Sequence, residues 1–231
     1  TLPHTNIEVS KICLGTMTWG RQNTEEEGFA QMDYAVEQGI NFFDTAELYP
    51  IPAHPDRYAH TEIIIGNWFK KTGKRKDIVL ASKIAGRAEF TKFIRSTGFS
   101  RDSIIEAVEG SLQRLQTDYI DLYQLHWPDR QGIPVAEVLE VLESLRDAGK
   151  IREWGVCNFG VPELGEMPWG VDPGAPVELA ARSLVEGLVG SFEPAGECPG
   201  APVWVGSAAN QEHLQLSIDG RQDDDGDGDG E

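Results

Sequence analysis

Cysteine is scarce in this chain of 231 residues: Cys13, Cys157 and Cys198 are all it has. An odd, scattered set without metal-ligand spacing argues against a disulfide scaffold and a structural zinc site. A reducing compartment is the default, and no metal is expected. Long apolar runs are lacking as well. Nothing approaches the roughly 20 apolar residues of a membrane span. No basic stretch leads into an apolar core at the start, so no secretory signal is expected. The first residue is Thr1 rather than Met, as in a fragment or a processed chain. The expected placement is cytoplasmic, with an organelle left open. Positive charge is the third shortage. The net charge is −18, and residues 161–231 hold 15 Asp and Glu against two Arg and no Lys. That segment carries −13 and leaves −5 for the first 160 residues. No basic face is offered to nucleic acid or anionic lipid, so neither is expected as a partner.

What is present is a repeating alternation. With 40% hydrophobic and 25% charged residues, the composition is that of a globular domain. Residues 11–16 (KICLGT) are short and apolar. Thr24, with Glu27 three positions on, is a capping-box signature, and Phe29, Met32 and Val36 then share a helical face. Residues 40–46 (INFFDTA), 78–84 (IVLASKI), 120–126 (IDLYQLH) and 151–158 (IREWGVCN) read as further strands. Helices are expected over 61–71, after the candidate caps Ser100 and Ser103, and along Val135, Val138, Leu139, Leu142 and Leu145. Pro50, Pro52 and Pro55 mark a loop, and residues 87–98 a longer one.

Five strands separated by four helices imply βαβ units and a parallel sheet. A doubly wound sheet would want G-x-G-x-x-G after its first strand, and GTMTWG does not fit. Polar residues instead stand at successive strand ends: Asp44, Lys83, His126 and Asn158. A barrel gathers those ends around one mouth. The expected fold is therefore α/β of the (β/α)8 TIM-barrel type, incomplete at about five βα units.

After residue 160 the rhythm fails. Residues 161–231 contain 12 of the 25 Gly and 7 of the 13 Pro. The expected organisation is a barrel front over 1–160, a divergent segment over 161–218, and an acidic disordered tail over 219–231. Within the divergent segment, residues 177–188 could form a modest helix and 202–206 a short strand. The terminal DDDGDGDGE has the alternation of a calcium loop but lacks the Glu at position 12, so it reads as a solvated tail.

Asp44, Tyr49, Lys83 and His126 form a chemically coherent set. An ammonium in an apolar strand is costly unless paired, and Asp44 is a plausible partner. A lysine beside a tyrosine favours the phenolate and is expected to lower its pKa from about 10. Such a tyrosine can give a proton to a carbonyl oxygen that a nearby histidine orients. Each residue alone also has a structural reading: a turn cap for Asp44, a loop anchor for Tyr49, snorkelling for Lys83, a core histidine for His126. Cys13 and Cys157 read as buried hydrophobes.

The motifs make the set specific. LGTMTWG, NFFDTAELY, ASK, SLQRLQTDYIDLYQLHWPD and GKIREWGVCNF, spread over residues 8–160, resemble the aldo-keto reductase superfamily. The loop ELYPIPAHPDRYAHTE is similar to a Tas-like bacterial subgroup of oxidoreductases. The resemblance implies a (β/α)8 barrel that reduces aldehydes and ketones with NADPH. Tyr49 would be the general acid, Lys83 and Asp44 would tune it, and His126 would orient the carbonyl. Gly15, Thr16, Asp44, Cys157 and Asn158 would line the NADP(H) site, with Cys157 where the family usually has Ser. Trp19 and Trp127 would line the substrate pocket. The resemblance fades in the last third, whose composition resembles translation outside the family's frame, through a retained intron, or a splice variant. Two other roles stay open: a non-catalytic, truncated or regulatory form, and a protein like the potassium-channel β-subunit. A partner chain covering the open edge of the barrel is a further expectation.

Overall fold

The computed structural model of the protein describes residues 1–2, 5–129 and 132–160. The readings made for residues 161–231 lie outside the described residues. The elements run β1 (Cys13–Gly15), α1 (Glu25–Glu37), β2 (Phe42–Asp44), α2 (His60–Thr72), β3 (Val79–Ile84), α3 (Arg101–Leu115), β4 (Ile120–Leu125), α4 (Val135–Asp147) and β5 (Ile151–Val156). All four strand pairs are parallel, and the order is β1-β2-β3-β4-β5. A doubly wound sheet reverses direction at a switch point. Here every crossover steps the same way, as in a (β/α)8 barrel wall.

The helices start where the sequence marks them. Thr24 accepts from the Glu27 amide while Glu27 accepts from the Thr24 amide, closing a capping box on α1. Ser100, not Ser103, caps α3. β1 and β2 are shorter than their apolar runs, three residues each, because only those residues pair in the ladder. Gly66 brings α2 against α3: a Cβ there would lie 2.2 Å from the Arg114 carbonyl oxygen.

The two faces of the sheet do different work. Phe43, Leu80, Tyr123 and Leu125 point to the helices and pack with Met32, Ile65, Trp68, Ile104, Val108 and Leu142. Phe42, Val79, Ala81 and Leu122 point the other way and are covered by Leu2 and Ile7. That second face is the barrel interior. Its N-terminal end is plugged by the chain start, which leaves the C-terminal ends of the strands for chemistry.

Candidate active site

Strand alternation decides which side chains meet. Gly15 pairs with Asp44, Asp44 with Ala81, Ala81 with Leu122, and Lys83 with Gln124. Successive side chains alternate faces, so Asp44, Lys83 and Gln124 share the inner face above the apolar layer of Phe42, Val79 and Leu122. Tyr49 comes in from the loop after β2, and His126 follows the last residue of β4.

Lys83 is completely buried. Its ammonium donates to Asp44 Oδ2 at 2.7 Å, to the Thr45 carbonyl at 2.9 Å and to the Tyr49 hydroxyl at 3.3 Å. An ammonium has three donors and no acceptor, so its capacity is used up. It follows that the Tyr49 oxygen accepts and its own proton points elsewhere. Burial works to strip Lys83 of its charge, but the attractions of Asp44 and Tyr49 outweigh it, and the pKa stands above its ordinary value. Burial also lifts the Asp44 carboxyl, against the pull of Lys83. The pair is ionic, since a neutral Asp44 would leave the buried ammonium uncompensated.

The expected lowering of the Tyr49 pKa is corrected by the structure. Lys83 does pull it down, but burial is the larger effect and pushes it up to about 12. Tyr49 is only 6% exposed, and a phenolate loses its hydration there. The group is a firm phenol at neutral pH.

His126 touches Tyr49 edge-on, with ring centres 5.8 Å apart. Burial, helped by the Lys83 charge, holds its pKa well below the ordinary value, so the imidazole is neutral. Its Nδ1 is buried without a hydrogen-bond partner among the described residues. Asn158 follows β5 in a left-handed conformation at φ 57°. Its amide nitrogen donates to the His126 carbonyl at 2.8 Å and to Cys157 Sγ at 3.3 Å. Both donors are thereby committed, and the carboxamide oxygen is what it can offer outward. Burial raises the Cys157 thiol to about 11, so it stays protonated. Thr16 is buried and donates to the Asp44 carbonyl at 2.8 Å, tying β1 to β2, while Gly15 is exposed at the end of β1.

The two tryptophans separate. Trp127 lies against His126, ring centres 4.8 Å apart, at the mouth of the site. Trp19 is turned into the core instead. It is 1% exposed, its indole donates to Gln31 at 2.9 Å, and its ring packs on Gly28 of α1. A bulky ring in the loop after β1 fills the space between α1 and α2, so the expected substrate role is corrected to packing.

The sequence model of the aldo/keto reductase family matches residues 11–178. Protein tas of Escherichia coli (strain K12) is 42% identical over 214 aligned residues, covering 81% of this chain and 62% of that protein. The chain belongs to the aldo/keto reductase family. Among solved structures, the aldo-keto reductase AKR11C1 of Bacillus halodurans (holo form) superposes with a TM-score of 0.54 at 38% identity, covering 67% of this chain and 48% of that one. The thermostable aldo-keto reductase Tm1743, solved with the inhibitor epalrestat, gives 0.61 at 31% identity, covering 74% and 58%. The chain thus spans about 62% of tas, and the family match runs on past residue 160.

Within this member of the family, three site residues escape a reading of the sequence. Glu47 and Arg95 form a buried bidentate pair at 2.6 and 2.9 Å. Glu47 also accepts from the Ala85 amide at 3.0 Å, and Arg95 donates to the Ala85 carbonyl at 3.0 Å. The pair clamps the exit of β2, which carries Tyr49, to the exit of β3, which carries Lys83. The DTAELY phrase holds Glu47, but nothing local to Arg95 marks its partner 48 residues away. Gln124 is the third: 2% exposed, beside Lys83 in register, with Oε1 unpartnered among the described residues. A cleft of about 810 Å³ lies at the opposite, N-terminal end of the strands, between Arg75 and Lys150. Those cations are already engaged with Asp121 and Glu109.

No helix among the described residues is long and apolar enough to cross a membrane.

Proposed function

We propose that this chain reduces aldehyde or ketone carbonyls to alcohols with NADPH, with Tyr49 as the general acid. The observation that carries the reading is the Lys83 ammonium, wholly buried at the strand ends and donating to the Tyr49 hydroxyl. NADPH as the partner follows from the family resemblance. The fit of a nicotinamide rests on two features of the chain. Asn158 is exposed and presents an acceptor suited to a carboxamide –NH2. The orphaned Nδ1 of His126 and Oδ1 of Asp44 leave buried polar capacity beside the phenol. When bound, the nicotinamide supplies a hydride to the carbonyl carbon.

The protein's own part is the proton. As the carbon is reduced, the carbonyl oxygen becomes an alkoxide, a far stronger base than a phenolate. A Tyr49 phenol at about 12 therefore transfers its proton downhill. Lys83 is already in contact with the oxygen that becomes phenolate, so that charge forms beside an ammonium in a dry site. A neutral His126 donates a hydrogen bond to the carbonyl oxygen without competing as an acid.

The test is NADPH consumption at 340 nm by the full chain with an aromatic aldehyde. The expected result is turnover that falls roughly 10²–10⁴-fold in Tyr49→Phe, the range for loss of a general acid. No consumption by wild type, with no quenching of NADPH fluorescence at millimolar concentration, would instead indicate a non-catalytic or regulatory form.

A further inference from the structure

Asp44 and Lys83 lie in strands and His126 directly follows one, but Tyr49 stands in a loop five residues past β2. Loops hold side chains less exactly than strands do. A misplacement of about 1 Å can cost about 10²-fold in rate. The Tyr49 hydroxyl meets the Lys83 ammonium at 3.3 Å, the longest of that ammonium's three bonds and the first to be lost if the loop shifts. The loop therefore needs a second hold.

Glu47 provides it. Its amide donates to the carbonyl of Lys83 itself at 3.1 Å, and its carboxylate accepts from the Ala85 amide. The residue two before the phenol is thus bonded to β3 on both sides of Ile84. Arg95 in turn fixes the carboxylate, gripping both oxygens and the Ala85 carbonyl. Arg95 has a firm base of its own. Its amide donates to the Thr91 carbonyl at 3.1 Å. The buried Thr91 hydroxyl donates to the Gly86 carbonyl and accepts from the Ala88 amide, both at 2.8 Å. The loop leaving β3 is folded back on its own start, and the guanidinium projects from it at a set height.

A buried ion pair is weak evidence for stability, because desolvation cancels much of the attraction. What a bidentate fork adds is geometry. Here that geometry acts on the distance between a phenol and an ammonium. The two side chains are only 6% and 5% exposed, so neither is a surface for substrate.

We propose that Glu47 and Arg95 are positioning residues for the proton donor: their bidentate pair holds the Tyr49 hydroxyl against the Lys83 ammonium. The consequence for rate rests on the reductase reading; the consequence for geometry does not.

The test replaces the pair without stranding a charge. In Glu47→Gln, Arg95→Met, the amide oxygen still accepts from Ala85 and Met keeps the length of the arginine stem. The second variant, Arg95→Lys, keeps the charge and loses the fork. Circular dichroism and melting check that each folds; if the double variant does not, Arg95→Lys answers by the same readouts. The readouts, on the full chain, are a crystal structure and steady-state kinetics with NADPH and an aromatic aldehyde. The expected structure has the Tyr49 hydroxyl beyond hydrogen-bond reach of Lys83. The expected kcat is lower by roughly 10–10²-fold with KM unchanged, Arg95→Lys being the milder. An intact Tyr49–Lys83 contact without the pair overturns the positioning role, and so does a wild-type kcat. If the contact parts but wild type consumes no NADPH, the positioning role stands and the reductase reading fails. If wild type turns over and the contact survives removal of the pair, the reductase reading stands alone.

Discussion

At the scale of single residues, the site depends on compensation between charges that would be untenable alone. Lys83 and Asp44 are both almost without exposure, and each is tolerated only because the other is 2.7 Å away. Removing one partner of such a pair leaves an uncompensated charge and costs about 3–5 kcal/mol. Lys83→Met should therefore lose stability on that scale in urea titrations. The double variant Lys83→Met, Asp44→Asn should regain most of it, because neither charge is then stranded. Equal losses in both would show that Lys83 supports the fold by packing and not by pairing. The residues of this pair were legible in the sequence because each sits in a short, characteristic phrase at a strand end. The direction of the Tyr49 shift was not. The lysine beside it is visible in the motif, but the depth of burial that outweighs the lysine is a property of the closed fold. Glu47 and Arg95 were hidden for a related reason: their bond links two loops, and neither loop alone predicts it.

Among the elements, α2 and α3 show how closely this barrel wall is fitted. Gly66 is the point of nearest approach, with the Arg114 carbonyl where a methyl group would go. In a free helix, Gly→Ala would gain about 1 kcal/mol. Here the obstacle is backbone, which cannot rotate aside, and overpacking costs about 1–3 kcal/mol or more. Gly66→Ala should therefore lower stability by a net ~2 kcal/mol, read as a shift in the urea midpoint at constant slope. A neutral or stabilising outcome would mean that the two helices can separate freely. The helix starts at Thr24 and Ser100 could be read directly, because a cap is a local bargain between one side chain and the next turn. The lengths of β1 and β2 could not. Apolar residues continue past each strand, and only pairing with a neighbour decides where the ladder stops. Trp19 was misjudged in the same way: its sequence position beside the site says nothing about the gap between α1 and α2 that its ring fills.

For the molecule as a whole, the shifted phenols and thiols lean in one direction. Burial first, with Lys83 opposing, raises Tyr49 from 10.0 to about 12, and it raises Cys157 from 9.0 to about 11. Tyr123 and Cys13 are pushed up as well, by burial and by nearby carboxylates. Every one of these groups holds its proton more tightly folded than unfolded. The stability they contribute is complete below their unfolded values and is lost as pH rises through the folded ones. The unfolded chain releases protons from about pH 9, while the fold keeps them to 11 or 12. By linkage, Tyr49 and Cys157 together account for roughly 3 kcal/mol of stability lost between pH 8 and pH 11. The net charge of −18 adds self-repulsion in the same direction, so the measurement belongs in high salt, where surface repulsion is screened but buried groups are not. Urea unfolding at pH 8 and pH 11 should show a loss in wild type that shrinks by about that amount in Tyr49→Phe, Cys157→Ser, whose side chains do not titrate there, while Tyr123 and Cys13 keep their share. An equal loss in the double variant would place the alkaline sensitivity elsewhere and would contradict the burial of the phenol, on which its proposed role as a proton donor at neutral pH depends.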